Sequence, residues 1–300
     1  MKMKKILSVL SALLIYSGTF SQDSIPLMNI DDPVESFTIV DQFMSHRLFN
    51  GQTPEQVPVG EMKMLIKHRM GAISGKMDNF FGLYQATSHI GFDYGLADRI
   101  SCGIGIGTMQ KMFDGYFKFT LLQQKEGTKS FPFSLAFYSN TAYSNETQSF
   151  SDGKQRNWAR FSYFHQLLLA RRFGKSVSLQ VAPFALHRNL VETNEDKNTL
   201  IGFTAAFALK INFKLSLTGE YSFLLPGQVK SEIGGSEVCN TFSVGFEYHS
   251  GKRHVFQWFI TNAPAINEKI WLAETTTGFI PKNLRIGFNI PTTFTIVKKS

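Results

Sequence analysis

The 300-residue chain carries 31 Lys and Arg against 23 Asp and Glu, a formal net charge of +8, with 29 Phe and 2 Cys. The basic excess is modest and spread along the chain, which argues against a nucleic-acid partner. Two cysteines are too few for a disulfide framework, and so many Phe in a chain without an apolar run long enough for a membrane helix must be covered in some other way.

Met1-Lys2-Met3-Lys4-Lys5 is a basic start, and residues 6–15 form an apolar core interrupted only by Ser8 and Ser11. Small residues at Thr19 and Ser21 complete the pattern of a secretory signal peptide over residues 1–21. No Cys lies near the cleavage point, which argues against a lipoprotein. The next stretch, "QDSIPLMNIDDPVESFTIVDQF", is acidic and irregular. Residues 36–47 have the alternation of one more strand, but an odd strand count is foreign to bacterial outer-membrane barrels. Residues 22–60 are therefore expected to be a periplasmic extension or a plug segment.

From residue 61 the period is two. In "FFGLYQATSHIGFDYGLADRISCGIGIG", Ile90, Phe92 and Tyr94 alternate with His89, Gly91 and Asp93. After the turn, Ile100, Cys102, Ile104 and Ile106 alternate with Ser101, Gly103, Gly105 and Gly107. About twelve such runs follow one another, at 61–70, 84–94, 99–109, 115–124, 130–142, 156–171, 176–187, 198–211, 214–225, 239–249, 254–262 and 283–295, each near the length a tilted strand needs to cross a bilayer. One parity is Phe, Leu and Ile. The other carries small and charged residues. Connections alternate between short and long, except for the short one at 110–114. Outer-membrane barrels have this rhythm, and a closed barrel is the β-structure that satisfies every backbone group in lipid. The expectation is an all-β, transmembrane, antiparallel up-and-down barrel of about 12 strands over residues 61–300, in contact with outer-membrane lipid, with both termini periplasmic.

Several stretches carry a family likeness. "HRMGAISGKMDNFFGLYQATSHIGFDYGLADRI", "RFSYFHQLLLARRF", "LHRNLV", "HVFQWFITN" and "NLRIGFNI" together resemble an uncharacterised family of outer-membrane β-barrels from Bacteroidota, over roughly residues 40–295. Met70 and Tyr84 stand where the family pattern has Phe and Asp. The resemblance implies the fold and the location and brings no activity with it.

The candidate sites fall in two groups. His68-Arg69 closes the first run and His187-Arg188-Asn189 the seventh. Counting crossings puts both on the long-loop, extracellular side, together with Glu274. Two His and a carboxylate suit a divalent metal, and paired Arg suit an anion, while the simpler reading is a hydrogen-bonded rim. The second group lies on the lumen parity: His89, Asp93, Lys118, Arg160, Glu220 and Glu247. His89 and Asp93 are four residues apart on one strand, about 13 Å, too far to pair directly. No G-x-S-x-G, zinc or dinucleotide signature appears, so no catalytic residue, resident metal or cofactor is assigned. Twelve tilted strands leave a lumen of order 10 Å. The functional expectation is a channel or uptake component for small solutes. The alternatives are a binding protein or enzyme at the extracellular mouth, or a filled barrel that docks partners. The sequence identifies no protein partner.

Overall fold

The computed structural model describes residues 37–39, 41–73, 85–146, 156–251, 253–276, 278 and 284–297. The expected signal peptide and residues 22–36 lie outside them.

Twelve strands run in chain order: β1 Glu61–Arg69, β2 Thr87–Ala97, β3 Ile100–Gly107, β4 Met112–Leu122, β5 Ser134–Ser144, β6 Phe161–Phe173, β7 Val177–Arg188, β8 Thr199–Lys210, β9 Leu215–Leu224, β10 Thr241–Ser250, β11 His254–Thr261 and β12 Arg285–Thr295. Each pairs antiparallel with the next, and β12 closes on β1 through a ladder from Gly287–Arg69 to Thr295–Glu61. The fold is thus an up-and-down barrel with no free edge, which is the condition for a sheet in lipid. Short turns lie mostly at the lower end of the barrel and longer connections at the upper end; the exceptions are the short β3–β4 connection above, residues 108–111, and the longer β4–β5 connection below, residues 123–133.

Period two sorts the side chains as the sequence suggests. Ile104 (68 % exposed), Phe117 (64 %) and Trp258 (50 %) point outward, whereas Lys118, Tyr138 and Arg69 point inward and are fully covered. The outer face is a band of Ile, Phe, Leu and Val. No described helix is long and apolar enough to cross a membrane.

Two segments lie within the barrel rather than on it. Residues 42–57 enter from the lower end and double back in a tight hairpin, with an Arg47–Gln52 bridge and a Leu48 N–H to Gly51 C=O bond of 3.0 Å. They are almost wholly buried. The described residues of 36–47 do not form one long strand. Phe37–Thr38 makes a two-residue ladder with Lys125–Glu126 in the β4–β5 connection, and beyond it the chain is irregular. It leaves the lumen past Gly95, where an added Cβ would collide with the carbonyls of Val57 and Pro58. Gly60 then turns the chain into β1 with φ of 76°. Its carbonyl accepts from the N–H groups of Ile296 and Val297, just past β12, at 2.9 and 3.0 Å.

At the upper end the β11–β12 connection folds inward as the short helix α1, Glu268–Ala273. Asn267 caps it by accepting from the Lys269 N–H at 3.0 Å. This helix is not legible in the sequence, which offers only a long loop there.

Candidate functional site: a lumen entered from both ends

The hairpin brings backbone-rich, aperiodic residues into a place without bulk water, so the wall must supply partners. It does so from nearly every side. Asp93 of β2 receives Arg47 through two bonds, Nε to Oδ2 at 2.7 Å and Nη2 to Oδ1 at 2.9 Å, and meets His46 Nε2 at 2.7 Å. The Arg47 guanidinium also lies 4.6 Å over the Tyr116 ring, a cation–π geometry. Lys118 of β4 donates to the carbonyls of His46 (2.9 Å) and Thr53 (3.1 Å). Arg69 of β1 donates to the carbonyl of Phe49 (2.8 Å) and to Asn50 Oδ1 (3.1 Å). Across the lumen, the Glu220 carboxylate accepts from the N–H groups of Asn50 (2.7 Å) and Gly51 (3.0 Å) at the hairpin tip. Gln180 and Gln257 complete the belt by donating to the carbonyls of Gln52 and Arg47.

Within this belt the apolar residues are few. Phe49 stacks on Phe259 at 4.4 Å, and Phe43 and Leu48 meet the small inward residues Ala170, Ala206 and Ala208. Burial, reinforced by Lys63, holds the His46 ring far below its usual range, near 3, despite its bond to Asp93. His46 is therefore neutral at ordinary pH. Burial, with Asp41 nearby, raises the Glu55 carboxyl, which accepts from the Gln42 N–H at 2.7 Å.

The upper lumen is built differently. α1 presents Trp271, Leu272 and Ala273 to inward Tyr138, Phe164, Phe184, Leu186 and Leu200 in one buried cluster. It engages the strands with a polar group through Glu268, whose two oxygens accept from Tyr138 Oη (2.9 Å) and Asn140 Nδ2 (2.8 Å). At the rim, Lys269, Glu274 and Gln110 bind one another: Lys269 Nζ lies 3.2 Å from Glu274 Oε1 and donates to Gln110 Oε1 at 2.9 Å, and Gln110 donates to Glu274 at 2.6 Å.

The sequence-assigned residues divide accordingly. Of the lumen group, Asp93, Lys118 and Glu220 meet the hairpin. Glu247 accepts from Gln257 at 2.8 Å. His89 pairs with Asp114 at 2.7 Å, its ring covering Gly105, while Asp93 and Tyr116 cover Gly103. The inward glycines therefore accommodate neighbouring side chains and leave no opening. Arg160 is not a lumen residue. It precedes β6 in a 3-10 turn and donates to Tyr143, which sits on the outward parity of β5. Asp114 escapes a reading by pattern because its strand begins three residues earlier than its hydrophobic alternation does.

The mouth group does not converge. His68 faces outward, stacked on Phe288 with 5.0 Å between centroids and hydrogen-bonded to Ser88, while Arg69 faces the hairpin. His187 likewise faces outward against Tyr163, and Arg188 points in and donates to the Lys197 carbonyl. Consecutive strand residues face opposite sides, so each His–Arg pair is split by the wall. Asn189 donates to the Trp158 carbonyl, and Glu274 belongs to the α1 rim. Among the described residues no three His, Cys, Asp or Glu gather as a metal site. Neither cysteine is in a disulfide.

A family defined as a membrane bound beta barrel domain (DUF5777) matches residues 43–294. The chain belongs to this family. The match begins at Phe43, so the family pattern takes in the hairpin as well as the strands. Among solved structures the chain is similar to a NanC porin (6 % identity, 78 % of this chain and 98 % of that one, TM-score 0.47). It is also similar to a KdgM porin (7 %, 77 % and 98 %, TM-score 0.44). A third is an outer-membrane channel from Pseudomonas putida F1 (12 %, 80 % and 98 %, TM-score 0.44). No curated protein matches the chain.

Proposed function

We propose that this chain is an outer-membrane barrel whose lumen is a stoppered passage for small solutes, closed at rest by the hairpin from the periplasmic side and by α1 from the extracellular side. In this reading residues 1–21 are a cleaved signal peptide, residues 22–60 the periplasmic extension and lower stopper, and residues 61–300 the barrel, with both termini periplasmic. The observation that carries it is the polarity of the lower seat. Asp93, Lys118, Arg69 and Glu220 are charged groups turned toward the hairpin rather than toward one another. An irregular hairpin needs hydrogen-bond partners from any wall that holds it, but neutral amides and hydroxyls supply them at less cost than charges taken out of water. A wall that becomes hydrated when its stopper leaves needs the polar groups it has here.

The burial of both the hairpin and α1 within the barrel favours the filled, partner-docking barrel instead, and one experiment separates the two. The intact protein in planar bilayers should carry no steady current. Releasing both stoppers together, with Asp93→Ala and Trp271→Ala, should open a conductance of ordinary ion-channel size. A doubly released barrel that is folded and silent is a filled barrel, and the passage reading ends there.

A further inference from the structure

We infer that the upper lumen contains a binding recess for a small amphipathic carboxylate, and that α1 occupies it as an internal surrogate of that ligand. The recess has two parts. Tyr138 and Asn140 stand two residues apart on β5, so both face inward, and each donates to a different oxygen of the same Glu268 carboxyl. Beside them is an aromatic and aliphatic pocket that includes Phe164 and Leu186 and takes Trp271. Glu268 and Trp271 are three residues apart, on one face of the helix. Together they present a carboxyl and an aromatic ring on a single rigid piece.

Why an acid belongs there is a physical question. A leucine at position 268 would enter an apolar lumen at less cost than a carboxyl. The carboxyl is tolerated because the Tyr138 hydroxyl would otherwise be a buried donor without an acceptor, at a cost of about 1–3 kcal/mol, and Asn140 Nδ2 would keep only its 3.2 Å bond to the Tyr138 Oη. The donors, not the helix, thus define the requirement. The charges facing the recess are mixed: Lys67, only 2 % exposed, lies within electrostatic reach and favours an anion, while Asp114 opposes it. α1 also fits incompletely. The Asn140 Oδ1 and the Trp271 indole N–H are buried without hydrogen-bond partners among the described residues. A ligand offering a carboxylate and a ring could take the recess by displacing the helix, whose rim contacts at Lys269 and Glu274 are polar and partly exposed.

The inference rests on the stoppered-passage reading only for what displacement achieves, because binding is measured without a current. Of the three tryptophans, Trp158 in the turn before β6 and Trp258 on the outer face are exposed, and Trp271 is buried. In purified full-length protein carrying W158F and W258F, Trp271 is the sole indole. Titration with 3-phenylpropanoate should saturably shift its emission to the red and increase its quenching by acrylamide. Ethylbenzene or propanoate alone should need at least about tenfold higher concentration, and Y138F with N140A should raise the midpoint by about tenfold or more, as loss of hydrogen bonds to a charged group implies. No shift at any concentration that leaves the barrel folded overturns the inference, as does an equal response to ethylbenzene or indifference to Y138F with N140A. Should W158F/W258F fail to assemble, hydrogen exchange of the Glu268–Ala273 amides in the unmodified protein decides the matter: faster with 3-phenylpropanoate supports the recess, and unchanged overturns it. A silent bilayer experiment with positive titration would leave the recess standing without the passage, and the converse result would do the opposite.

Discussion

The two halves of the lumen are filled by the same chain and lined in opposite ways. Below, an irregular hairpin is gripped by ionised and amide side chains. Above, a helix rests on aromatic and aliphatic residues with one carboxyl engaged. The difference follows from the secondary structure of what is buried. A helix satisfies most of its own backbone groups, so the wall beside it can be apolar. An aperiodic hairpin cannot, and buried amides and carbonyls without partners are destabilising. The wall facing it must therefore donate and accept at many points, as Lys118, Arg69, Gln180 and Glu220 do. Lumen polarity is then a consequence of the stopper's backbone as much as of any solute.

If that contrast is right, each half should release separately. Asp93→Ala removes the carboxylate that holds Arg47 and His46 and leaves a buried guanidinium unpaired, a loss of about 3–5 kcal/mol. Hydrogen exchange should accelerate across residues 42–57 while Glu268–Ala273 stays protected. Common acceleration would mean that the halves form one unit. Trp271→Ala should do the reverse. Its cost belongs at the lower end of the usual range, about 3 kcal/mol, since the indole N–H has no partner to lose among the described residues, and limited proteolysis should then cut near α1 with the hairpin intact.

Acid should distinguish the halves without mutation. The His46 pKa is depressed to about 3 in the inserted hairpin, whereas a released imidazole titrates near 6.5. As pH falls through that window the released form takes up a proton that the inserted form does not, so insertion is favoured fully above about 6.5 and weakens by at most about 1.4 kcal/mol per unit below it. Protection of the residue 42–57 amides, measured against intrinsic exchange at each pH, should fall between pH 6.5 and 4.5, and His46→Gln should flatten the profile. The smallest effect concerns the upper loops. Asp196 is depressed to about 2, its burial outweighed by bonds from Ser231 and the Lys230 N–H. Its contribution is present above about pH 4 and is lost as pH drops through 2. Amide protection at Lys230 and Ser231 should decline only there, well below the hairpin transition.

The strands are legible because alternation is a local property that every residue reports. Ile201, Phe203 and Phe207 outward against Gly202, Thr204 and Ala208 inward need nothing beyond period two. The same rule, applied one residue at a time, separates His68 from Arg69 and His187 from Arg188. Grouping them by position along the chain obscures it. Arg160 is misplaced by its sequence pattern for a related reason: the observed strand starts at Phe161, so the residue before it need not keep the parity. The hairpin's seat cannot be read, since its partners come from β1, β2, β3, β4, β7, β9, β10, β11 and β12, and no periodicity in "SHRLFNGQTPEQV" records them. α1 is six residues long, too short for a helical period to emerge from a loop.

The bond pair from Ile296 and Val297 to Gly60 ties the root of the hairpin to the last strand of the barrel. Asn289, also on β12, donates to the Phe49 carbonyl near the hairpin tip at 3.1 Å. The seat of the lower stopper is thus incomplete until the final strand has been laid against the first. In the order of synthesis the hairpin emerges before any part of its cage exists, and it can settle only after the belt has closed. A chain lacking β12 would hold it without these bonds, so full seating of the hairpin is a late step of assembly and doubles as a mark of its completion.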